Sequence, residues 1–497
     1  MAFVAASSTF AGGLLTNTNQ NAAFVRNFAL EGKMELTSIY ANPAGGAFLN
    51  NGWHLSLNTQ TAFQERNIDT TFPLFQYNTE NHDKIHRFEG EAIAPLVPSF
   101  TVSYNRDKWS LSAHFAIIGG GGKCEFKQGL GSFESIGASI PSAVVAGIQQ
   151  KMLPMVKAQL MASPYNFSES KASVMAPDVA MQKAIGAGPD SYSMNSSMKG
   201  HSYYFGLQLG GTYKILENLS AYLGIRGVYG TASYTGFVGD LELYNSTTGA
   251  TALPAEMGGT PYIDLVRQSY GDVEPYISMN CDQTAFGVSP VIGVDWKIND
   301  HWNVSAKYEF KTKMNLKNSS QMSEMAKLLA NTPQGEALGQ FKDGAKVRED
   351  IPALLALGAQ YSPIEKVRID AAYHQFFDKD SKKYADKQKY IKNNTHEFIL
   401  GAEYDICKLI TISGSWEYTR YGLKDQFMND LSFNLSNYMF GGGVRVHATK
   451  RLNIDLGYMC TFYNSRNVTT QVAPNVYKTD HYDRTNHTFG IGVNLDF

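Results

Sequence analysis

Large apolar side chains alternate with small or polar ones along much of this chain, with a period of two. In the closing stretch HTFGIGVNLDF, Phe489, Ile491, Val493, Leu495 and Phe497 fall on one side, and Thr488, Gly490, Gly492, Asn494 and Asp496 on the other. That division follows because successive side chains of a strand point to opposite faces. The same alternation runs through WHLSLNTQTAF (53–63), WSLSAHFAI (109–117), HWNVSAKYEFK (301–311) and RLNIDLGYMCTF (451–462), and in several of these the second face carries mixed charges, as a polar interior would. The pattern predicts fourteen strands, near 50–65, 95–105, 108–119, 201–214, 219–235, 284–297, 302–312, 351–362, 366–378, 395–405, 408–420, 437–448, 451–463 and 484–497. Tight connections such as NRDK (105–108), INDH (298–301), SPIEK (362–366) and ATKR (448–451) alternate with long polar ones near 66–94, 123–200, 236–284, 312–350, 378–394, 421–436 and 464–483. An even strand count with short turns at one end and long loops at the other is the signature of an antiparallel transmembrane β-barrel. Each strand reaches the roughly 9–11 residues needed to cross a bilayer at a tilt. The apolar face is therefore expected to meet lipid.

Composition agrees once the barrel is considered. Mean hydropathy is -0.26 and no run of apolar residues is long enough for a membrane helix, but a barrel averages its lipid face with a polar lumen and reads as soluble. The 28 Tyr and 28 Phe suit aromatic girdles, and a net charge of -2 argues against a nucleic-acid partner. Cys124, Cys281, Cys407 and Cys460 form no CxxC pair and no His cluster accompanies them, so neither a zinc site nor a cofactor is expected; they read as isolated thiols or one disulfide. No local nucleophile or paired-acid motif suggests an enzyme, and His374 and Asp378 read as polarity of the lumen or rim. At the N-terminus, Thr9, Phe10 and Ala11 form a small-x-small pattern, so residues 1–11 read as the remnant of an export signal. Residues 12–49 carry AAFVRNFAL (22–30) and the turn NPAGG (42–46) and are expected to fold into the lumen as a hatch, leaving 50–497 as the barrel.

Several stretches, taken in order, carry a resemblance. They are Asn42, Pro43, Ala44 and Gly45 before the first strand, PLVPSFTVSYNRDKWSLSAHF (95–115), RGVYGTASYTGFVGDL (226–241), IPALLALGAQYSP (351–363) with EKVRIDAAYHQF (365–376), and the last three strands. In this order they resemble the FadL family of outer-membrane transporters for long-chain fatty acids and other hydrophobic compounds. The resemblance implies a bacterial outer-membrane barrel surrounded by lipid, with a hydrophobic, fatty-acid-like small molecule as its partner. It also implies a route: capture in outer loops, passage through a pocket in the barrel, and sideways exit at a kinked third strand. That kink falls on Gly119, Gly120, Gly121 and Gly122. A phosphate loop is the competing reading of GGGGK, but Ile117 and Cys124 break its spacing.

The resemblance has departures. Fatty-acid transporters of the family place a basic residue just before the Phe of the Phe-x-Gly-Asp-Leu stretch, where this chain has Gly236 before Phe237. The loop at 123–200 is long, and its segment 141–162 has apolar residues, Met152 and Met155 among them, at helical spacing, with Pro154 expected to kink or split the helix. A second short helix is expected over 319–331, with Met322, Met325, Leu328 and Leu329 on one stripe. These Met-rich faces are the candidate capture surfaces, since thioether side chains adapt to varied apolar partners. The terminal Phe497 is the expected assembly signal, read by the barrel-assembly machinery. The alternative role for the same fold is a carrier or scaffold for secreted proteins at the cell surface.

Overall fold

The computed structural model describes residues 21–332 and 336–497; the export-signal remnant and the first residues of the expected hatch lie outside that range. Fourteen strands, each antiparallel to the next, close on themselves. They are β1 (Gly52–Thr71), β2 (Ile85–Arg106), β3 (Trp109–Phe126), β4 (Ser191–Leu216), β5 (Leu219–Tyr244), β6 (Ile277–Lys297), β7 (Trp302–Glu309), β8 (Leu354–Ile364), β9 (Val367–Phe376), β10 (Ile391–Cys407), β11 (Ile410–Leu423), β12 (Asn437–His447), β13 (Leu452–Tyr463) and β14 (Val476–Asp496). β14 pairs with β1 from His54↔Asp496 to Thr71↔Thr479, so no edge is left open. Above the membrane, β7 is continued by a separate strand, Asn315–Met322, on β6, and β13 by Arg466–Ala473 on β14.

β6 shows why the period-two pattern becomes a wall. Phe286, Val288, Ile292, Val294 and Trp296 point outward and are exposed, while Met279, Cys281, Gln283, Ser289 and Asp295 point inward and are buried. Among the described residues no second layer covers those outer side chains, as a face directed at the membrane requires. Aromatic pairs in contact ring the wall near the tight turns (Trp53–Tyr104, Trp302–Tyr361) and again higher up (Tyr373–Phe398, Tyr418–Tyr438), as interfacial girdles do.

The lumen is filled from within. Residues 21–47 are buried almost throughout, and they thread the barrel as a short helix, α1 (Ala22–Arg26), followed by single turns at Leu36–Ser38 and Ala44–Phe48. Space for this segment comes from glycines on the inner wall. A Cβ added at Gly401 would stand 2.0 Å from the Asn27 amide oxygen, one at Gly358 2.3 Å from Glu31, and one at Gly441 2.4 Å from the Phe28 ring. The small side chains opposite the lipid face are thus an imprint of the hatch.

Several local expectations need correction. The strands at the long-loop end run further than the pattern suggested: β4 begins at Ser191 rather than 201, and β5 continues to Tyr244. Their polar extensions pair with one another above the membrane, where no lipid demands an apolar face. Pro154 does not split its helix. α2 (Gly131–Met161) runs through Pro141 and Pro154 without a break and begins ten residues before the expected start. Its Val144, Ile148, Met152, Val156 and Leu160 pack on the Ala172, Ala176, Ala180 and Ala184 stripe of α3 (Glu169–Ala187), and this burial outweighs the proline penalty. The expected helix over 319–331 is instead a strand through Met322 followed by one short helix, α5 (Glu324–Leu329), whose first turn is capped by Ser323.

Candidate functional site

The lower half of the lumen is a charge-locked joint. Arg26 forms ion pairs with Glu403 of β10 (2.7 Å) and Asp455 of β13 (3.1 Å), and Lys33 reaches Glu403 (2.7 Å) and Asp370 of β9 (3.4 Å). His374 of β9 bridges Glu31 (2.8 Å) and Glu397 (2.7 Å), so its partners are acids of the hatch and the neighbouring strand. Burial works to raise the Glu31 carboxyl, but His374 and Lys307 beside it hold it below the ordinary carboxylate range. The expected hatch turn sits at the tight-turn end. Asn42 donates to Asp295 and to the Lys33 carbonyl (3.1 Å) and accepts from the Gly45 amide (3.1 Å). The Pro43 and Ala44 carbonyls accept from Thr212 (3.0 Å) and Ser220 (2.8 Å). At Gly45 a Cβ would meet the Asn42 amide at 2.7 Å.

Above this joint the interior turns apolar. Tyr40 of the hatch, Ala116 and Ile118 of β3, Tyr204, Val228, Ala285 and Met314 form one buried cluster. Its floor is Arg226 and Lys307, 4.5 and 4.6 Å from the Tyr40 ring, both paired with Glu309. Beside the cluster the wall is interrupted. β2 and β3 pair at Ile93↔Lys123 and again at Ser99↔Ala116, so that Ala94–Pro98 and Ile117–Gly122 face each other with no ladder between them. The glycine run is what allows this. Gly120 and Gly122 take φ of +121° and +62°, and the register against β4 slips twice between Ile117 and Gly122. Pro95 and Pro98 on the other side lack the amide protons a ladder needs.

At the mouth, α2 is seated by Glu134, which accepts from Asn78 (2.8 Å) and Tyr192 (3.0 Å) and faces His86 (2.9 Å). Between α2, α4 (Tyr262–Ser269), α5 and the tops of β4–β6 lies a cleft lined by Ile140, Met194, Val238, Val266, Met325 and Leu329, with no charged residue in its lining. Of the expected capture residues, Met325 and Leu329 line it. Met152 is buried against α3, Met155 and Leu328 are exposed, and Met322 packs on a separate cluster at the mouth that includes Met198, Met279 and the buried stripe of α2. Gly236, the position that departs from the fatty-acid pattern, is in apolar surroundings: a Cβ there would stand 3.6 Å from Met198 and 3.9 Å from Met279 and Phe133. Val266 of α4 and Tyr270, which caps its C-terminus, lack any signal in the sequence, since a helix of eight residues inside a long polar loop gives little periodicity. Phe497 lies at the seam, its amide donating to the Trp53 carbonyl (2.9 Å). The four cysteines are free thiols, and among the described residues no group of His, Cys, Asp or Glu is placed to hold a metal.

Fold and site together define a plugged transmembrane β-barrel of the outer membrane. Comparison with known proteins is more specific. Residues 198–497 match the model of the family described as outer membrane protein transport protein (OMPP1/FadL/TodX), and the chain belongs to that family. Outer membrane protein P1 of Haemophilus influenzae is 23% identical over 257 residues, 51% of this chain and 54% of that protein. In strain Rd the identity is 22% over 302 residues, 59% of this chain and 64% of that protein, so the alignments span between half and two thirds of the curated relatives. Among solved structures, a Pseudomonas aeruginosa FadL homologue superposes with a TM-score of 0.62 at 13% identity, covering 98% of this chain and 100% of its own. The Pseudomonas putida toluene transporter TodX gives 0.51 at 13%, with 99% of each chain covered. At such identities these structures speak for the fold.

Proposed function

We propose that this barrel carries uncharged hydrophobic small molecules across the outer membrane. They enter at the cleft of Met325 and Leu329, pass through the apolar cluster around Ile118 and Tyr204, and leave sideways between β2 and β3. The observation that carries the proposal is the unpaired stretch of wall directly beside that cluster. Straight descent would take an apolar molecule through the Arg226–Glu309–Lys307 floor and the ion-paired hatch, whereas the gap opens toward the hydrocarbon in which it dissolves. The uncharged cleft and the apolar surroundings of Gly236 favour a neutral ligand, such as a monoaromatic hydrocarbon, over a carboxylate. The structurally similar TodX is described as a toluene transporter, which supports the same reading.

Blocking the outlet after folding tests this route. A Val at Gly120 is a poor probe, because its Cβ would stand 2.2 Å from the Ser202 carbonyl oxygen and strain β4. Leu96 lies in the unpaired stretch and is exposed. In a cysteine-free background, Leu96→Cys labelled with a bulky maleimide is expected to cut toluene uptake by about tenfold or more, since an oriented path tolerates little misplacement. The same label at Leu209→Cys, on the lipid face of β4, is expected to leave uptake unchanged. Unaltered uptake after labelling Leu96→Cys would remove the lateral route, and faster uptake of a matched carboxylate than of toluene would remove the neutral-ligand reading.

A further inference from the structure

One surface feature has no part in this route. The segment DKDSKKYADKQKYIK (378–392), joining β9 to β10, holds six lysines, and Lys424 stands beside it at the top of β11. Two of the six are engaged: Lys383 pairs with Glu349 (3.0 Å), and Lys387 is buried over the Phe427 ring at 4.7 Å. Lys379, Lys389, Lys392 and Lys424 are exposed, line one open cleft with Gln388 and Ile391, and form no ion pair among the described residues. None of the nearby acids pairs with these four: Asp380 is exposed with no ion pair among the described residues, and Lys389 has only a ring contact, 5.1 Å from the Tyr390 centroid. Asp378 accepts from the Thr395 amide (3.0 Å), Asp386 from Gln388 (3.1 Å), and Asp425 pairs with Arg466 (2.6 Å). Four unpaired ammonium groups around one cleft repel one another unless an anion joins them.

The height of the cleft identifies the anion. On the outer face of β10 and β11, Phe398 faces Tyr418 in the upper aromatic girdle, and His396 faces the exposed Arg420 one step higher. Lys392 lies four residues beyond His396 and Lys424 four beyond Arg420, about 13 Å along each strand at ~3.3 Å per residue. The basic side chains therefore begin where the hydrocarbon band ends, on the side of the long loops. In an outer membrane that level holds the phosphorylated sugars of the outer-leaflet glycolipid.

We propose that Lys379, Lys389, Lys392 and Lys424, with Arg420 beneath them, form a binding site for the phosphate groups of an outer-leaflet glycolipid, whose acyl chains lie on Phe398 and Tyr418. Rigid spacing across two loops and two strands suits a headgroup with more than one phosphate. Binding is independent of the transported ligand, because the site lies on the outer wall and the capture cleft is between α2, α4 and α5.

The test uses the whole protein in detergent micelles, with rough-type lipopolysaccharide carrying bisphosphorylated lipid A and the same glycolipid dephosphorylated as probes. Folding of every variant is checked by heat-modifiable migration. The unmodified protein is expected to bind the phosphorylated form about tenfold or more tightly than the dephosphorylated one. Replacing all four lysines with Gln should weaken the phosphorylated form by about 100-fold and abolish the discrimination, as surface lysines near anionic lipid act almost additively. Should that variant fail to fold, the pairs Lys379→Gln with Lys389→Gln and Lys392→Gln with Lys424→Gln are each expected to lose about tenfold. A control with Lys127, Lys151, Lys171 and Lys346 changed to Gln, all exposed elsewhere, should bind like the unmodified protein. Undiminished binding by the four-lysine or both paired variants overturns the site. Full displacement of the glycolipid by millimolar inorganic phosphate overturns the lipid assignment in favour of a free-anion site.

Discussion

Below the middle of the barrel, the hatch meets the wall through Arg26, Lys33, Glu31 and Asn42, whose charged or polar partners are spread over four strands, β6, β9, β10 and β13. Above the middle, the interior is built from Ile118, Tyr204, Met314 and the α2–α3 hairpin, with few ion pairs and an interrupted β2–β3 ladder. Directional contacts in a water-excluded lumen are costly to break singly, because a partner is left charged and buried. Apolar contacts are exchangeable, since one greasy surface replaces another. A barrel that must stay sealed and yet pass hydrophobic molecules needs the first kind at its base and the second along its route.

The largest effect expected from breaking this contrast is at Arg26. Arg26→Met leaves Glu403 and Asp455 buried with fewer counter-charges and should cost about 3–5 kcal/mol in urea unfolding followed by gel mobility. Toluene capture by the fraction still folded should be unchanged. Next comes the upper half: Leu329→Ala, at a half-buried position of the cleft, should weaken binding of a hydrophobic fluorescent probe by about tenfold, from roughly 1.5 kcal/mol of lost apolar contact, with little change in the unfolding midpoint. A fall in both quantities for either variant would show that base and route are not separable. At the seam, Phe497→Asp should lower the yield of membrane-inserted protein several-fold relative to Phe497→Tyr, because a charge on the lipid face costs about 1 kcal/mol or less near the interface and more at depth; equal yields would dismiss a signalling role for the terminal aromatic.

The smallest effect concerns pH. Burial pushes the Lys387 ammonium down to about 8, with Glu349 acting in the opposite direction. Between about pH 8 and 10.5 the unfolded loop holds a proton that the folded loop has released. Local stability should therefore rise with pH in that window, by at most ~1.4 kcal/mol per unit, and not depend on this group below it. Cleavage at Tyr384 and Tyr390 by a chymotrypsin-type protease should fall from pH 7.5 to 9.5 relative to Lys387→Met; parallel profiles would contradict the assignment.

How much of this was legible in the sequence depended on whether lipid constrained it. Phe489, Ile491 and Trp302 repeat on one face because hydrocarbon requires them there, so the strand count and the turns could be read directly. The glycine run at 119–122 was legible for a related reason, as a conspicuous break in a strand that otherwise alternates. Above the membrane that constraint vanishes. SYSMNSSMKG reads as a loop and is the paired start of β4, because hydrogen bonds to β5 and not side-chain character define it. Met322 was assigned to a helix and sits on a strand, since a short stretch with several apolar residues satisfies both periods. Cleft residues Val266 and Tyr270 are brought to Met325 only by tertiary folding.

The inner glycines have one more consequence. Wall and hatch are matched like mould and cast: Gly358, Gly401 and Gly441 leave hollows that atoms of Val25, Asn27, Phe28, Glu31 and Gly32 occupy. Were the hatch withdrawn, the wall would have no bulky side chains at those positions to narrow the bore. A barrel made without that segment, which its ion pairs hold in place, is expected to admit large antibiotics that the outer membrane normally excludes, so cells expressing it should be more sensitive to them than cells expressing the whole chain.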